Sequence, residues 1–283
     1  MTKKHRRSLV QFICYLPATI ILKDPLFGVR GERWYLFLRS LFGFICFSLN
    51  YYSLAFVSLS DASSIAFSAP VFVSIFACLI LREPCTLFQI TTIIVTLIGV
   101  VMIARPAFMF PGDESDRHFH RDERVIGTIL SFATSLSMAF TYVVMRRLQK
   151  TPITTVITYF SFFCLCSGGM TAVILNHVKG YQLYVPSGTR DLCLMLLNGL
   201  CGAVGQTFLV IALKIEQASL VSLARSFDIV MAFIYQIILL KQAVTIMSVS
   251  GALIVLSSCA ACALKKFIDA KPDAFNRILA RFR

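Results

Sequence analysis

Two oppositely charged residues, Arg225 and Asp228, lie within a stretch of the sequence that is otherwise largely apolar. Because they are three residues apart, they share one face of a helix and can pair with each other. A charge in such a helix is costly, so it normally faces the protein interior and has a partner. The pair is therefore either part of a site for a polar solute or a proton, or a self-neutralised contact that holds two helices together.

Arg39 is a third charge inside an apolar stretch, and it belongs either to the same kind of site or to the end of its helix, where its head extends into water. Neutral polar residues within the apolar stretches either contact a solute or hydrogen-bond to a neighbouring helix. Pro70 removes a backbone donor and is a candidate for a gate, with a simple packing kink as the alternative. The neutral candidates for contact with a solute are Asn50, Tyr51, Tyr52, Tyr142 and Gln206.

Two other patterns could carry chemistry, but they are weaker evidence for a functional site. His118 and His120 with Asp122 have metal-like spacing, but a polar loop surrounds them. Cys259 and Cys262 have redox-motif spacing inside an apolar helix, where cysteine usually acts as a small apolar residue. We therefore predict no catalytic residue, no cofactor and no metal, and we expect that the protein is not an enzyme.

The composition places these residues in a membrane. Apolar residues make up 57% of the 283 positions and charged residues only 14%, with a mean hydropathy of +0.77. A soluble domain is nearer 45–50% apolar and about 25% charged. The net charge of +13 comes from basic residues at helix ends and in the tails, which indicates anionic lipid head groups rather than nucleic acid.

The chain is predicted to be an all-α polytopic membrane protein, because apolar segments near the length of a bilayer span follow one another along the sequence. Most turns between them are short, which makes successive helices antiparallel neighbours. We predict about nine transmembrane helices, at residues 9–22, 34–57, 62–81, 87–103, 125–145, 154–175, 192–213, 218–240 and 243–264.

The distribution of Lys and Arg predicts a cytosolic carboxyl tail, because basic residues are then twice as frequent on the cytosolic side. With nine helices, the basic amino-terminal residues would lie on the wrong side. Either the first hairpin is strained or a further helix belongs in front of Met1, and we favour the further helix. The tail at 265–283 is predicted to be basic and either to lie on anionic lipid or to be disordered.

The two halves of the chain are weakly similar at an offset of 156 residues, which aligns Gly43 with Gly199 and Asn50 with Gln206. Internal repeats of this kind are typical of secondary transporters. The spacing of Gly199, Gly202 and Gly205 also predicts close helix packing. We predict a first repeat of four helices at 1–104, a polar connecting loop at 105–124 and a second repeat of five helices at 125–264.

Several short motifs resemble the EamA-type repeats of the drug/metabolite transporter superfamily, and solute carrier family 35 subfamily G in particular. They are LNYYSLA at 49–55, SDASSI at 60–65, SAPVF at 68–72 and Glu83-Pro84 in the first half, and KIEQA at 214–218 and DIVMAF at 228–233 in the second. The resemblance implies two inverted helical-bundle repeats. It also implies a family norm of ten helices, so we expect that the family's first helix is missing from this chain.

The expected function is a membrane secondary transporter that moves a small organic metabolite by alternating access. Arg39 and Arg225 favour an anion. The alternative is a non-transporting membrane scaffold or regulatory protein derived from a transporter fold. Either one would be a multi-pass protein of the plasma membrane or of the endoplasmic reticulum and Golgi. A homo-oligomer or a regulatory membrane partner is a further expectation, whereas nucleic acid is not.

Overall fold

A computed structural model of the chain describes residues 2–57, 62, 65–66, 68–83, 86–104, 121–179, 189–228, 230–231, 234, 238 and 246–270. All regular structure within these ranges is helical, so the predicted all-α fold class is confirmed. A helix satisfies its backbone hydrogen bonds internally, which is what a bilayer requires of a spanning segment. The predicted tail beyond residue 270 and the loop with His118 and His120 lie outside the described residues.

Nine helices are present in the described part of the chain, and each falls on one of the predicted segments. The third helix continues into a π-helical turn, Ala77–Leu81, which ends at Arg82 in a left-handed conformation with φ 56°. The helices are α1 (Thr2–Ile21), α2 (Arg33–Ser53), α3 (Ala69–Phe76), α4 (Leu87–Ala104), α5 (Arg121–Arg147), α6 (Ile153–Lys179), α7 (Thr189–Ile215), α8 (Ala218–Arg225) and α9 (Ile246–Ala270).

Three described helical segments are both long and apolar enough to cross a bilayer on their own, namely Val125–Arg147, Ile153–Met170 and Leu196–Ile215. Four shorter segments of the described chain are also apolar, at Gln11–Ile21, Ala69–Leu81, Leu87–Ile103 and Val249–Lys265.

The chain packs into two compact units. The first unit comprises Met1–Ser48 and Phe140–Gln217, and in it α1 packs against α6 and α7. Hydrogen bonds between hydroxyl groups support this packing, since Tyr15 bonds to Thr207, and the Thr19 and Thr158 hydroxyls lie 2.8 Å apart.

Three turns of the first unit meet at one end through a group of hydrogen bonds. The Glu32 carboxylate, just before α2, accepts from the backbone N–H of Lys150 at 3.0 Å and of Thr151 at 2.8 Å. The Lys214 ammonium at the end of α7 donates to the Thr151 carbonyl, and Arg146 Nη1 donates to the Lys214 carbonyl at 2.6 Å. The turns at 22–32, 148–152 and 214–217 therefore lie at the same end of this unit.

The second unit comprises Leu49–Ala139 and Ala218–Arg283, and its main contact joins α9 to α4. The backbones of these helices approach closely where Gly99 meets Gly251, because a Cβ atom on Gly251 would lie 2.7 Å from the Gly99 carbonyl oxygen. Glu83 accepts from the backbone N–H of Ala218 at 3.2 Å, so a carboxylate neutralises the positive amino end of α8. The core around the contact between α9 and α4 consists of Val100, Val230, Ala252 and Val255.

The units are not the predicted repeats, because each unit contains residues from both sides of the loop at 105–124. The boundary between units falls inside α2, after Ser48, and inside α5, after Ala139. Compact units describe packing and repeats describe sequence similarity, so the repeat boundaries stay a prediction.

Candidate functional site

Arg39 is the most deeply buried charge of the described residues in the first unit. It is 3% exposed and lies six residues into α2, about 9 Å from the start of that helix. Its Nε and Nη1 atoms are buried and have no hydrogen-bond partner among the described residues. A buried polar group without a partner costs free energy, and more so when it is charged. This cation is therefore an incomplete site that a ligand can complete.

Gln206 on α7 is the hydrogen-bond partner of this guanidinium among the described residues. Arg39 Nη2 donates to Gln206 Oε1 at 3.3 Å. Gln206 is half-buried, and an amide oxygen is neutral, so the contact fixes the orientation of the guanidinium without cancelling its charge. Arg39 and Gln206 were predicted as separate candidates, and the structure brings them together.

Phe160 on α6 covers one face of the same guanidinium. The Arg39 Cζ atom lies 4.1 Å from the centroid of the Phe160 ring, within the range of a cation–π contact. The ring also lies against α2 one turn further on, where a Cβ atom on Gly43 would be 2.8 Å from Phe160 Cε2. The ring can take this position only because residue 43 has no side chain. Cys164, one turn along α6 from Phe160, is buried.

The arrangement leaves the guanidinium able to bind an oxyanion. Arginine has five N–H donors in a planar fork, and each of its two binding edges uses one hydrogen of Nη2. The single bond to Gln206 occupies one hydrogen of Nη2, so one complete two-donor edge is still available. Because Phe160 covers a face of the plane, an oxyanion would bind at the edge, which is the geometry of a two-point bond to carboxylate or phosphate.

Sequence reasoning missed a set of buried neutral polar groups in the first unit. Gln11 Nε2 on α1, and the hydroxyls of Thr155 and Ser161 on α6, are buried and lack hydrogen-bond partners among the described residues. Gln11, Tyr15 and Thr19 are spaced four residues apart, which places them on one face of α1. That spacing is the signal in the sequence from which this polar face could have been predicted.

In the second unit the structure pairs Arg225 with Asp228, as their spacing allows. Arg225 Nε lies 3.3 Å from Asp228 Oδ2, and the two side chains are 41% and 64% exposed. Arg225 ends α8, about 10 Å from the start of that helix. An exposed ion pair is worth less than about 1 kcal/mol, so it contributes little to holding helices together.

The remaining candidates are distributed over both units. Tyr142 is buried in the first unit, whereas Asn50, Tyr51 and Tyr52 belong to the second. Tyr51 and Tyr52 are exposed, and Asn50 is half-buried.

Pro70 is buried in the first turn of α3, where the helix does not need its missing N–H. Pro70 therefore lies at the start of α3, next to the turn at Ser68, and its role as a gate or as a packing kink stays a prediction.

An all-helical fold with apolar helices in the described residues is that of a polytopic membrane protein, and the buried Arg39 is its candidate polar site. The sequence model of the EamA-like transporter family matches residues 6–105 and 125–263. The chain therefore belongs to the EamA-like transporter family, and it is an integral membrane protein. The two matched regions agree with the expected presence of two repeat-like segments.

Individual relatives narrow the assignment. Solute carrier family 35 member G1 of Mus musculus is 34% identical over 265 residues, which are 93% of this chain and 70% of that protein. The Homo sapiens protein of the same name is 33% identical over 92% of this chain and 70% of its own length. The predicted resemblance to subfamily G of solute carrier family 35 is confirmed.

More distant similarities extend across much of the chain. The pseudopaline exporter CntI of Pseudomonas aeruginosa is 24% identical over 84% of this chain and 74% of its own length. A solved crystal structure aligns with a TM-score of 0.73 at 16% identity, covering 93% of this chain and 86% of that one. At that identity the likeness concerns the fold alone.

Proposed function

We propose that the protein is a secondary transporter that moves a small organic anion across a membrane by alternating access, with Arg39 as the group that binds the anion. The observation that carries this proposal is the buried guanidinium, of which two nitrogens have no partner among the described residues. A buried ion costs several kcal/mol unless it is paired. A substrate that supplies the opposite charge accounts for a cation kept in this position.

The other candidate residues have supporting roles in this proposal. Gln206 holds the guanidinium and keeps its own amide N–H groups for the substrate. Arg225 and Asp228 are exposed although they lie within a predicted span, and a charge there is tolerated only beside water. This supports a position on an aqueous pathway. Asn50, Tyr51, Tyr52 and Tyr142 are proposed substrate contacts, and Pro70 is a proposed hinge of a gate.

The repeats support the proposed mechanism, and the basic turns support the proposed orientation. Repeats of this kind move against each other around a fixed site in secondary transporters, and two regions of the chain match the family. The turns of the first unit that meet at one end carry Lys23, Lys150 and Lys214, and Arg146 lies beside them at the end of α5. We propose that this end and the carboxyl tail are cytosolic. The plasma membrane and the endoplasmic reticulum or Golgi are the proposed compartments.

The test is uptake into liposomes that contain the purified full chain. The solutes to be offered are mono-, di- and tricarboxylates and phosphate esters, with neutral sugars and amines of similar size as controls. Anions are expected to enter and the neutral and cationic solutes are not. Arg39→Gln keeps the size and polarity of the side chain but removes the charge, and it is expected to lower anion uptake at least about tenfold.

Arg82→Gln is the matched control, because Arg82 is an exposed arginine in a turn of the second unit. Its uptake is expected to equal that of the unmodified protein. Undiminished transport by Arg39→Gln would remove Arg39 from the site. If no solute enters the liposomes while a membrane partner is captured, the non-transporting scaffold replaces the transporter as the proposed function.

A further inference from the structure

The segment that joins α1 to α2 presents cations that have no partner. The side chains of Lys23, Arg30 and Arg33 are exposed, and none of them forms an ion pair or a hydrogen bond among the described residues. Lys150, which follows α5 and lies next to this segment through its bond to Glu32, is exposed in the same way. Four cations are thus grouped at one end of the first unit.

The acidic residues of the segment form no ion pair with these cations, because both carboxylates are hydrogen-bonded to other groups of the unit. Asp24 accepts from the Thr154 hydroxyl. Glu32 uses both oxygens, accepting from the backbone of Lys150 and from the backbone and hydroxyl of Thr151, the last at 2.7 Å. The exposed cations outnumber the two hydrogen-bonded carboxylates four to two, so this surface carries a net positive charge.

Exposed apolar side chains lie among the cations. Trp34 is 66% exposed and its ring stacks on Phe37, with 5.6 Å between the centroids. Aromatic residues of this kind are enriched where a bilayer meets water. The segment also connects the end of one predicted span to the start of the next, which is where an interface lies. The other exposed apolar residues of the segment are Leu22, Leu26, Phe27 and Val29.

The backbone of the segment is fixed. The Asp24 N–H donates to the Thr19 carbonyl at 3.0 Å and so closes the end of α1. Lys23, just before Asp24, has the left-handed conformation that is common at helix ends. Gly28, also with positive φ, lies against Leu36 and Thr151, and a Cβ atom there would be 3.1 Å from Leu36 Cδ2. The backbone that carries the cations and the aromatic ring is therefore held by hydrogen bonds and packing within the unit.

We infer that Lys23, Arg30, Arg33 and Lys150, with Trp34 and its apolar neighbours, form a binding surface for anionic phospholipid head groups at the membrane interface. The basic groups bind the phosphate, and the apolar side chains insert beside the upper part of the acyl chains. This surface is separate from the predicted lipid-binding tail at 265–283, and it does not depend on the proposed transport activity. The four cations are hereafter called the loop cations.

The single tryptophan of the chain makes the surface measurable. The full protein is reconstituted into vesicles of phosphatidylcholine and phosphatidylglycerol, with one of the two lipids brominated near the head-group end of its acyl chains. Bromine quenches tryptophan at short range. Brominated phosphatidylglycerol is expected to quench Trp34 at least twofold more than brominated phosphatidylcholine at the same mole fraction, and added salt is expected to reduce this preference.

Replacing three of the loop cations in Lys23→Gln/Arg30→Gln/Arg33→Gln is expected to make quenching by the two lipids equal, whereas Arg82→Gln is expected to keep the preference. The salt titration uses the unmodified protein, so the test does not depend on how the triple variant folds. Equal quenching by both lipids in the unmodified protein would overturn the inference. So would the absence of quenching, which would place Trp34 in water and leave the surface for an acidic protein partner.

Discussion

The Arg39 guanidinium and the Phe160 ring are in contact, with the Cζ atom 4.1 Å from the ring centroid. Phe160 is itself 4% exposed, so an apolar ring shields one face of a cation from water. Shielding strengthens any electrostatic bond that the guanidinium forms, because the local dielectric constant is low. Gln206 contributes no negative charge, so this cation has no counter-charge among the described residues.

Gly43→Ala is expected to disturb this contact from a distance. The added methyl group would lie 2.8 Å from Phe160 Cε2, so the buried ring must shift away from Arg39. Overpacking costs about 1–3 kcal/mol, and the better helix propensity of alanine returns up to about 1 kcal/mol. We expect a slightly lower melting temperature in detergent and a several-fold higher KM for anion uptake.

Gly169→Ala is the control for that variant. Gly169 is on α6, the same helix as Phe160, but no atom lies within 4 Å of its Cβ position. Its melting temperature is expected to be unchanged or higher and its transport normal. An unaltered KM in Gly43→Ala would show that the position of the ring does not matter for binding.

Sequence reasoning identified the helices and the charged candidates because a bilayer makes both conspicuous. Nine apolar segments predicted nine helices, which the described residues contain. Arg39, Arg225 and Asp228 were recognisable because charged residues are rare in apolar segments. The EamA-type motifs were sufficient to recognise the family, which the match over 6–105 and 125–263 shows.

Contacts between distant helices were beyond the reach of sequence reasoning. Arg39 and Gln206 are 167 residues apart, and nothing in either local sequence indicates which helix faces which. The local sequence likewise does not indicate which glycines lie at a close contact between helices. Close packing was predicted at Gly205, where the structure leaves open space, whereas the close approach occurs between Gly99 and Gly251. A glycine permits a close contact, but only the partner helix determines whether one forms.

Gly251→Ala is expected to destabilise the second unit. Its new methyl group would be 2.7 Å from the Gly99 carbonyl oxygen and 2.8 Å from Met102 Cβ. Backbone cannot move aside as a flexible side chain can, so α9 must separate from α4. We expect a loss of about 1–3 kcal/mol, measured as a lower melting temperature. Gly169→Ala again serves as control, and equal melting temperatures for the two variants would contradict the close approach.

Glu32→Gln is expected to weaken the end of the first unit where the turns meet. Glutamine keeps one acceptor oxygen but presents an NH₂ group to a backbone N–H. The expected cost is about 1 kcal/mol. In a double-mutant cycle with Thr151→Val, the two losses are expected to be less than additive, because the Thr151 hydroxyl donates to Glu32 at 2.7 Å. Full additivity would mean that the bond contributes nothing.

The difference in stability between the unmodified protein and Glu32→Gln is also predicted to depend on pH. Burial raises the pKa of Glu32, but the hydrogen bonds from the Thr151 side chain and from the backbone of Lys150 and Thr151, with the charge of Lys214, outweigh it and lower the pKa below its ordinary value of 4.5. The ionised form therefore stabilises the fold above that value, and this contribution is lost as the pH falls through the folded-state pKa. The difference in melting temperature between the unmodified protein and Glu32→Gln should shrink below pH 4.5. A difference that is constant with pH would contradict this.

Asp228 provides a direct test of whether the predicted span at 218–240 borders water. Its side chain is 64% exposed, and Leu253 in the middle of α9 is 62% exposed. The two positions differ in chemistry, since lipid suits a leucine but not a carboxylate.

In a chain whose ten cysteines are replaced by alanine or serine, Asp228→Cys is expected to react with a charged, membrane-impermeant thiol reagent at least tenfold faster than Leu253→Cys. A membrane-permeant maleimide should label both and so report that both thiols are present. If Asp228→Cys reacts as slowly as Leu253→Cys with the charged reagent, position 228 faces acyl chains, and both Arg225 and Asp228 leave the proposed substrate pathway.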